Sequence, residues 1–251
     1  MEVIATRPES LTKTPFTYCP GCLHGVAHRL IAEAVDEFGL INSMTGVAPV
    51  GCSVFAYKFF NFDMAQAAHG RAPAVATGIK RARPDMHVFT YQGDGDLAAI
   101  GTAEIVHAAN RGEKMSVFFV NNAIYGMTGG QMAPTTLPNM KTSTSPYGRD
   151  VADIGYPIRV CEMLSTLVAP YYIERVSLLS PADIIKAKKA VNKAIQYNKE
   201  GRGFTFIEFV STCPTNWGIE PAKSRDWAKE NMIPFFKPGV FVDKGAQEVE
   251  K

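Results

Sequence analysis

The chain has 251 residues, 46% of them hydrophobic and 20% charged, enough apolar material to bury a full core without staples. Its 26 basic and 24 acidic residues leave a net charge of +2, with no Lys/Arg run interleaved with aromatics, so neither nucleic acid nor an anionic membrane surface is an expected partner. No apolar run approaches the roughly 18 to 20 residues of a membrane span, and the opening MEVIATRPESLTKTPFTYCPGC lacks the apolar core of a signal peptide, which makes the cytoplasm the expected compartment.

In that reducing setting the five cysteines are poor disulfide candidates, and Cys19-Pro20-Gly21-Cys22 reads as a metal or redox pair. From Cys22 to Gly39 the residues Leu23, Val26, Leu30, Ile31, Ala34, Val35 and Phe38 recur at spacings of three and four, predicting an amphipathic helix closed by glycine. Val88 to Gln92, Ser116 to Val120, Tyr172 to Val176 and Phe204 to Val210 read as short strands, separated by helical patterns at about 95–112 and 181–199. Strands alternating with helices predict an α/β, three-layer fold with a mostly parallel sheet and helices on both faces. The stretch from Gly126 to Pro157 is dense in Gly, Pro, Ser and Thr without periodicity, a loop long enough to be expected to serve function, held by a ligand or a partner. Cys161 falls in an apolar pattern and reads as an inert core residue.

Gln92-Gly93-Asp94-Gly95-Asp96 follows the first of those strands directly. A glycine turn entering a helix at the carboxyl end of a parallel strand offers free N–H groups to a phosphate. Aspartates there are compatible with a phosphate only if a cation lies between, and Mg2+ commonly joins protein oxygen ligands to a diphosphate. The following strand ends in Asn121-Asn122, so Asp94 and Asn122 are expected neighbours on one edge of the sheet. GDG, 25 residues and then NN resembles the diphosphate-binding motif of thiamine diphosphate enzymes. In that motif the Asp side chain, the Asn side chain and the carbonyl two residues after the Asn hold Mg2+, which here implies Asp94, Asn122 and the backbone of Ile124. Gly95 and Asp96 would lie against the diphosphate.

Cys19, Cys22, Cys52 and Cys213 can be gathered by folding into a set of four. Four thiolates suit tetrahedral zinc or a [4Fe–4S] cluster, and spacing alone does not decide. The prolines after Cys19 and Cys213, and a cofactor on the same chain whose chemistry releases electrons, favour the cluster. The stretches TYCPGCLHG, PVGCSVFAYKFF, AAHGRAPAVATGIK, YQGDGDLAAIGTAEIVHAANRG, NNAIYGMTGGQMAPTT and STCPTNWG together resemble the beta subunit of 2-oxoacid:ferredoxin oxidoreductases, over nearly the whole chain. The resemblance implies a single thiamine diphosphate-binding domain over 1–251, the diphosphate-binding half of that fold. It includes a CxxC segment at about 15–25 and a C-terminal extension at about 211–251 that supplies the last cysteine. It also implies that Cys19, Cys22, Cys52 and Cys213 bind a [4Fe–4S] cluster. Val50, Gly51, Cys52, Ser53, His69, Gly126 and Met127 would border the cofactor, and His24 would order the surroundings, whereas His28, His87 and His107 read as ordinary helix and strand residues.

The reaction implied is CoA-acylating oxidative decarboxylation of a 2-oxoacid, with electrons passing through the cluster to ferredoxin. The apolar run after Cys52 favours a branched-chain acid such as 2-oxoisovalerate, since a second buried carboxylate would need a cation. Lys58 is the one nearby basic residue. Pyruvate and 2-oxoglutarate stay open, as does a non-redox decarboxylase or synthase with structural zinc. One sheet's worth of elements leaves no place for the cofactor-activating Glu, and there is no second set of CxxCxxC repeats. Alpha, gamma and ferredoxin-like delta partners are therefore expected, the alpha subunit supplying the pyrimidine-binding half.

Overall fold

The computed structural model describes residues 6–249; the outermost residues of the expected 1–251 domain lie outside them. Seven strands form one sheet in the order β2-β1-β3-β4-β6-β5-β7, with β1 Met44–Ala48, β2 Asp63–Gln66, β3 His87–Gly93, β4 Ser116–Asn121, β5 Tyr172–Ser177, β6 Thr205–Val210 and β7 Gly239–Asp243. All pair in parallel except β7, which runs antiparallel beside β5. Side chains alternate across the sheet, so Phe89 and Tyr91 of β3 join one core and Val88 the other. Helices His24–Glu37 and Pro181–Lys199 cover the first core, and helices Ala72–Ala82, Thr102–Asn110 and Val160–Ser165 the second. This is the three-layer arrangement expected.

The first helix buries Ala27, Leu30, Ile31, Ala34 and Val35 on one stripe, and each large side chain so buried contributes about 1.5–3 kcal/mol. It stops where Gly39 takes φ +67 and Leu40 N–H returns to the Val35 carbonyl at 2.9 Å, a left-handed closure that glycine adopts without strain. The helix expected at 95–112 is interrupted: residues Asp96–Ile100 form a π turn, and the α-helix proper begins after Gly101. A Cβ on Gly101 would lie 2.6 Å from the Gly70 carbonyl oxygen, so the break is where the chain after β2 crosses close over the helix entrance.

Strands β1, β2 and β7 carry no clear pattern in the sequence, and the Ala72–Ala82 helix, whose Ala72, Val75, Ala76 and Ile79 recur at spacings of three and four, is not among the helices expected. β1 contains Gly46, and β2 and β7 are short edge strands with exposed positions. The loop from 126 to 157 is irregular, as expected, apart from one turn of helix at Val151–Ile154. The chain itself supplies part of what holds it. The buried Arg149 guanidinium donates to the carbonyls of Gly155 (2.9 Å), Pro134 (3.0 Å), Thr136 (2.8 Å) and Tyr156 (3.0 Å). Among the described residues no helix is long and apolar enough to cross a membrane.

The chain passes from β1 outward to β2 and returns to β3 on the other side of β1. Crevices at such a reversal, beyond the carboxyl ends of the strands, are where open parallel sheets bind ligands. The segments after β1 (49–53), β2 (67–70), β3 (94–96), β4 (122–128) and β6 (211–217) all emerge on that edge.

Candidate functional site

Two cavities lie there. The first, about 110 Å³, is lined by Val50, Gly51, Cys52, Ser53, His69, Asp94, Gly95, Asp96, Asn122, Ile124, Gly126 and Met127, so every residue expected at the cofactor and its metal reaches one cavity. His24, Gly93, Tyr125 and Thr128 complete its wall. Asp94 is buried and accepts from the Gly95 N–H (2.9 Å) and the Thr135 hydroxyl (2.7 Å). Burial pushes its carboxyl up to about 6, against the pull of Thr135 and of the Gly95, Asn122 and Ile124 amides. A buried carboxylate with an adjacent amide oxygen is the hard oxygen donor set that suits Mg2+, and a cation there would offset the burial that raises Asp94.

Asp96 and Gly95 also have partners within the chain. The Asp96 carboxylate is turned into the protein, where it accepts from Gln92 Nε2 (2.6 Å), the Gly70 N–H (2.8 Å) and the Val50 N–H (3.3 Å). His69 Nδ1 lies 2.7 Å from the same carboxylate, off the line a hydrogen bond needs. Asp96 thus ties the segments after β1 and β2 to the turn after β3. At Gly95 a Cβ would meet the ring of Tyr125, 2.6 Å from Cζ and closer to Cε1 and Cδ1, and the Tyr125 hydroxyl donates to the Gly95 carbonyl at 3.1 Å. The missing side chain makes room for a tyrosine.

The second cavity, about 160 Å³, is lined by all four expected cysteines, Cys19, Cys22, Cys52 and Cys213, together with Tyr18, His24, Phe55, Asn122, Gly126 and Met127 among others. All are free thiols. The turn carrying Cys19 and Cys22 is docked on the segment carrying Cys213. Thr212 Oγ1 donates to the Gly21 carbonyl at 2.6 Å, and Gly21, at φ +78, has no room for a side chain against Pro214 and Pro221. A Cβ on Gly126 would fall 3.0 Å from Cys52 Sγ and 3.5 Å from Cys213 Sγ, so these two sulfurs flank the loop after β4. Among the described residues no group of three or more His, Cys, Asp or Glu side chains is placed as around a metal ion; the four thiols line one cavity. Burial, reinforced by the neighbouring sulfurs, pushes the Cys22 thiol up to about 12 and Cys52 up to about 11, and raises Cys213. Loading iron there must displace those protons.

The two cavities share a wall made of His24, Cys52, Asn122, Gly126 and Met127. His24 is buried, shares a 2.6 Å hydrogen bond with the Tyr91 hydroxyl and stacks on Tyr18; burial lowers its pKa to about 4, so it is a neutral spacer. His28 is bonded to the Tyr18 hydroxyl at 2.7 Å and His107 is exposed. Cys161 is fully buried in the second core. Lys58 lies outside both cavities, exposed over the Phe55 ring at 4.7 Å. Sequence reasoning missed the residues that hold the site: Gln92, Tyr125, Thr135, Asn216, whose Nδ2 donates to the Gly126 carbonyl at 2.7 Å, and Trp217, whose Nε1 donates to the Asn122 carbonyl at 3.0 Å. The signal for the last two was the NW after Cys213-Pro214-Thr215, where an indole and an amide sit within reach of anything bound by the cysteine.

A family model described as thiamine pyrophosphate enzyme, C-terminal TPP binding domain, matches residues 49–209. The chain is 51% identical over 230 residues to ketoisovalerate oxidoreductase subunit VorA of Methanothermobacter thermautotrophicus, a match covering 92% of this chain and 48% of that protein. It is 37% identical over 227 residues to 2-oxoglutarate synthase subunit KorB of Methanocaldococcus jannaschii, covering 88% and 80% respectively. The chain thus spans about half the length of the VorA proteins it matches and most of KorB. Among solved structures, 2-oxoglutarate:ferredoxin oxidoreductase from Magnetococcus marinus, with 2-oxoglutarate, coenzyme A and succinyl-CoA bound, superposes with a TM-score of 0.76 at 26% identity, over 96% of this chain and 86% of that one.

Proposed function

Because this chain belongs to the family of 2-oxoacid:ferredoxin oxidoreductase subunits built on the thiamine pyrophosphate-binding domain, we propose that it is the catalytic subunit of a CoA-acylating 2-oxoacid:ferredoxin oxidoreductase. The observation that carries this reading is the wall common to the metal–diphosphate cavity and the four-cysteine cavity. When bound, thiamine diphosphate supplies the carbon nucleophile that attacks a 2-oxoacid and accepts the electrons of decarboxylation, and a [4Fe–4S] cluster supplies one-electron steps away from it. Asp94, Asn122 and the Ile124 backbone would hold Mg2+. Gly95, Gly126, Met127, His69 and the segment Val50 to Ser53 would border the cofactor, while Cys19, Cys22, Cys52 and Cys213 would hold the cluster. Asp96 orients the Val50 and His69 edge, and His24 excludes water from the shared wall without carrying charge. The whole of the described chain is proposed as one domain, with residues 15–25 and those from 211 onward serving the cluster.

For substrate we infer 2-oxoisovalerate or a similar branched-chain acid. Among the described residues the linings of the two cavities include Phe55, Tyr18 and Met127 and no Lys or Arg, so a second carboxylate would be desolvated there without a counter-charge from those residues. The name of the VorA relatives agrees. Alpha, gamma and ferredoxin-like delta chains are the proposed partners, with coenzyme A and ferredoxin as co-substrates in anaerobic metabolism. The free thiols suit the cytoplasm. Reconstitution with the partner chains, comparing 2-oxoisovalerate, pyruvate and 2-oxoglutarate under a viologen or ferredoxin acceptor, tests this: the branched acid should give the highest kcat/KM. A preference for 2-oxoglutarate would overturn the substrate assignment, and aldehyde release without any acceptor would overturn the redox one.

A further inference from the structure

Asn121, which closes β4, faces neither cavity. It is fully buried; its Nδ2 donates to Glu208 Oε1 at 2.8 Å and its Oδ1 accepts the Ala123 N–H at 3.2 Å. Ala123 is one of two described non-glycine residues with positive φ, at +61, a left-handed conformation that costs an alanine about 1–2 kcal/mol. That reversal lies between Asn122 and Ile124, the two positions that the site needs to aim at one cavity.

Glu208 lies on β6 in register with Phe119 of β4 on one side and Arg175 of β5 on the other. Its Oε2 is 3.0 Å from Arg175 Nε, off a hydrogen-bonding line, and both side chains are wholly buried. The Arg175 guanidinium donates twice to Glu162, at 3.0 and 2.6 Å, and lies against the rings of Phe236 and Phe241 at 5.5 and 5.1 Å. A buried row of charge therefore runs across the sheet to the asparagine next to the proposed metal ligand, and nothing in the proposed chemistry uses it.

We propose that Glu208, paired with Arg175, is a positioning residue for the metal–diphosphate site: it fixes the Asn121 amide so that its oxygen caps Ala123 and locks the turn presenting Asn122 and Ile124. With the Asn121 NH2 group donating to the Glu208 carboxyl, its oxygen, and only its oxygen, is left toward the Ala123 N–H. A glutamine at 208 could donate or accept, so the Asn121 amide would be free to flip and set an N–H against an N–H. Thr136 Oγ1, on the Ala123 carbonyl at 2.6 Å, clamps the other side of the same residue but leaves the amide orientation to Asn121.

This inference rests on the metal–diphosphate reading above, and the test separates the two. Thiamine diphosphate is titrated calorimetrically into the assembled complex, and the Mg2+ concentration giving half-maximal binding is the readout. For Glu208→Gln that concentration should rise about ten-fold, the cost of a left-handed alanine no longer secured. Adding Ala123→Gly, which relieves the strain without restoring the charge, should recover most of the loss. Asn121→Ala leaves the Arg175–Glu208 pair intact and should show the same loss and the same rescue, so it carries the test if Glu208→Gln does not fold. Unchanged Mg2+ dependence in a folded variant, or a loss that Ala123→Gly leaves untouched, overturns the positioning role. No Mg2+-dependent binding by the unsubstituted complex overturns the metal–diphosphate site itself.

Discussion

Gly95→Ala is expected to destabilise the chain through Tyr125 and not through the diphosphate. The added Cβ would sit 2.6 Å from Tyr125 Cζ and closer to two other ring carbons, against ordinary carbon contacts of roughly 3.5–4.0 Å. The ring must retreat by about 1 Å or more, which breaks the 3.1 Å bond from its hydroxyl to the Gly95 carbonyl. Overpacking of this kind costs about 1–3 kcal/mol. Because Tyr125 is only half-buried the ring can swing toward solvent, which places the effect near 1–2 kcal/mol. Urea unfolding of the four members of the cycle Gly95→Ala, Tyr125→Ala, the double variant and the unsubstituted chain measures it. The double variant should be more stable than the sum of the singles by about 1–2 kcal/mol, well beyond the ~0.5 kcal/mol of independent sites. Additive effects would refute the packing argument.

Mg2+-supported binding of thiamine diphosphate should weaken as pH falls through about 6, because the protonated Asp94 carboxyl cannot ligate; a flat Mg2+ requirement from pH 7.5 to 5 in calorimetry would contradict it. The linkage to stability has the opposite sense. With its folded pKa raised above an unfolded value near roughly 3.9, Asp94 in the metal-free chain favours the fold fully only below that value and loses the contribution as pH rises through about 6. Arg149→Met should open the 131–157 segment by about 2–4 kcal/mol, the net worth of several charge-assisted bonds to carbonyls; hydrogen exchange should show that segment losing protection while β3 and β4 keep theirs. Anaerobic iron analysis should give about four irons per chain, unchanged in Cys161→Ser and sharply reduced in Cys52→Ser, since only Cys52 reaches the shared wall.

Much of this was legible in the sequence because it is written in local patterns. The apolar spacing of 23–38, the strand at 88–92 and the glycine-aspartate turn after it each follow from short-range chemistry, and the motif resemblance connected Asp94 to Asn122 and the four cysteines to one another. Edge strands such as Asp63–Gln66, polar and half exposed, leave no such trace. The π turn at Asp96–Ile100 depends on a backbone approach from Gly70, a contact 26 residues away that no periodicity encodes. The supporting residues were hidden for the same reason. The motif puts Asp96 against the diphosphate, but nothing local in it shows that three hydrogen-bond donors reach Asp96 from β3 and from the segments after β1 and β2. Glu208 sits inside an apolar strand, where only the register with Arg175 reveals its partner. Lys58, close to Cys52 in sequence, is exposed in this chain.

The central claim is that one chain sets a metal–diphosphate site and a cluster against a common wall. Low-temperature electron paramagnetic resonance of the anaerobically assembled complex, with Mg2+ and thiamine diphosphate present, tests it most directly. Adding 2-oxoisovalerate should produce the signal of a reduced [4Fe–4S] cluster, and Asp94→Ala should abolish that signal while dithionite still elicits it. A colourless, zinc-loaded complex with full turnover, or cluster reduction by substrate that survives Asp94→Ala, would contradict the account.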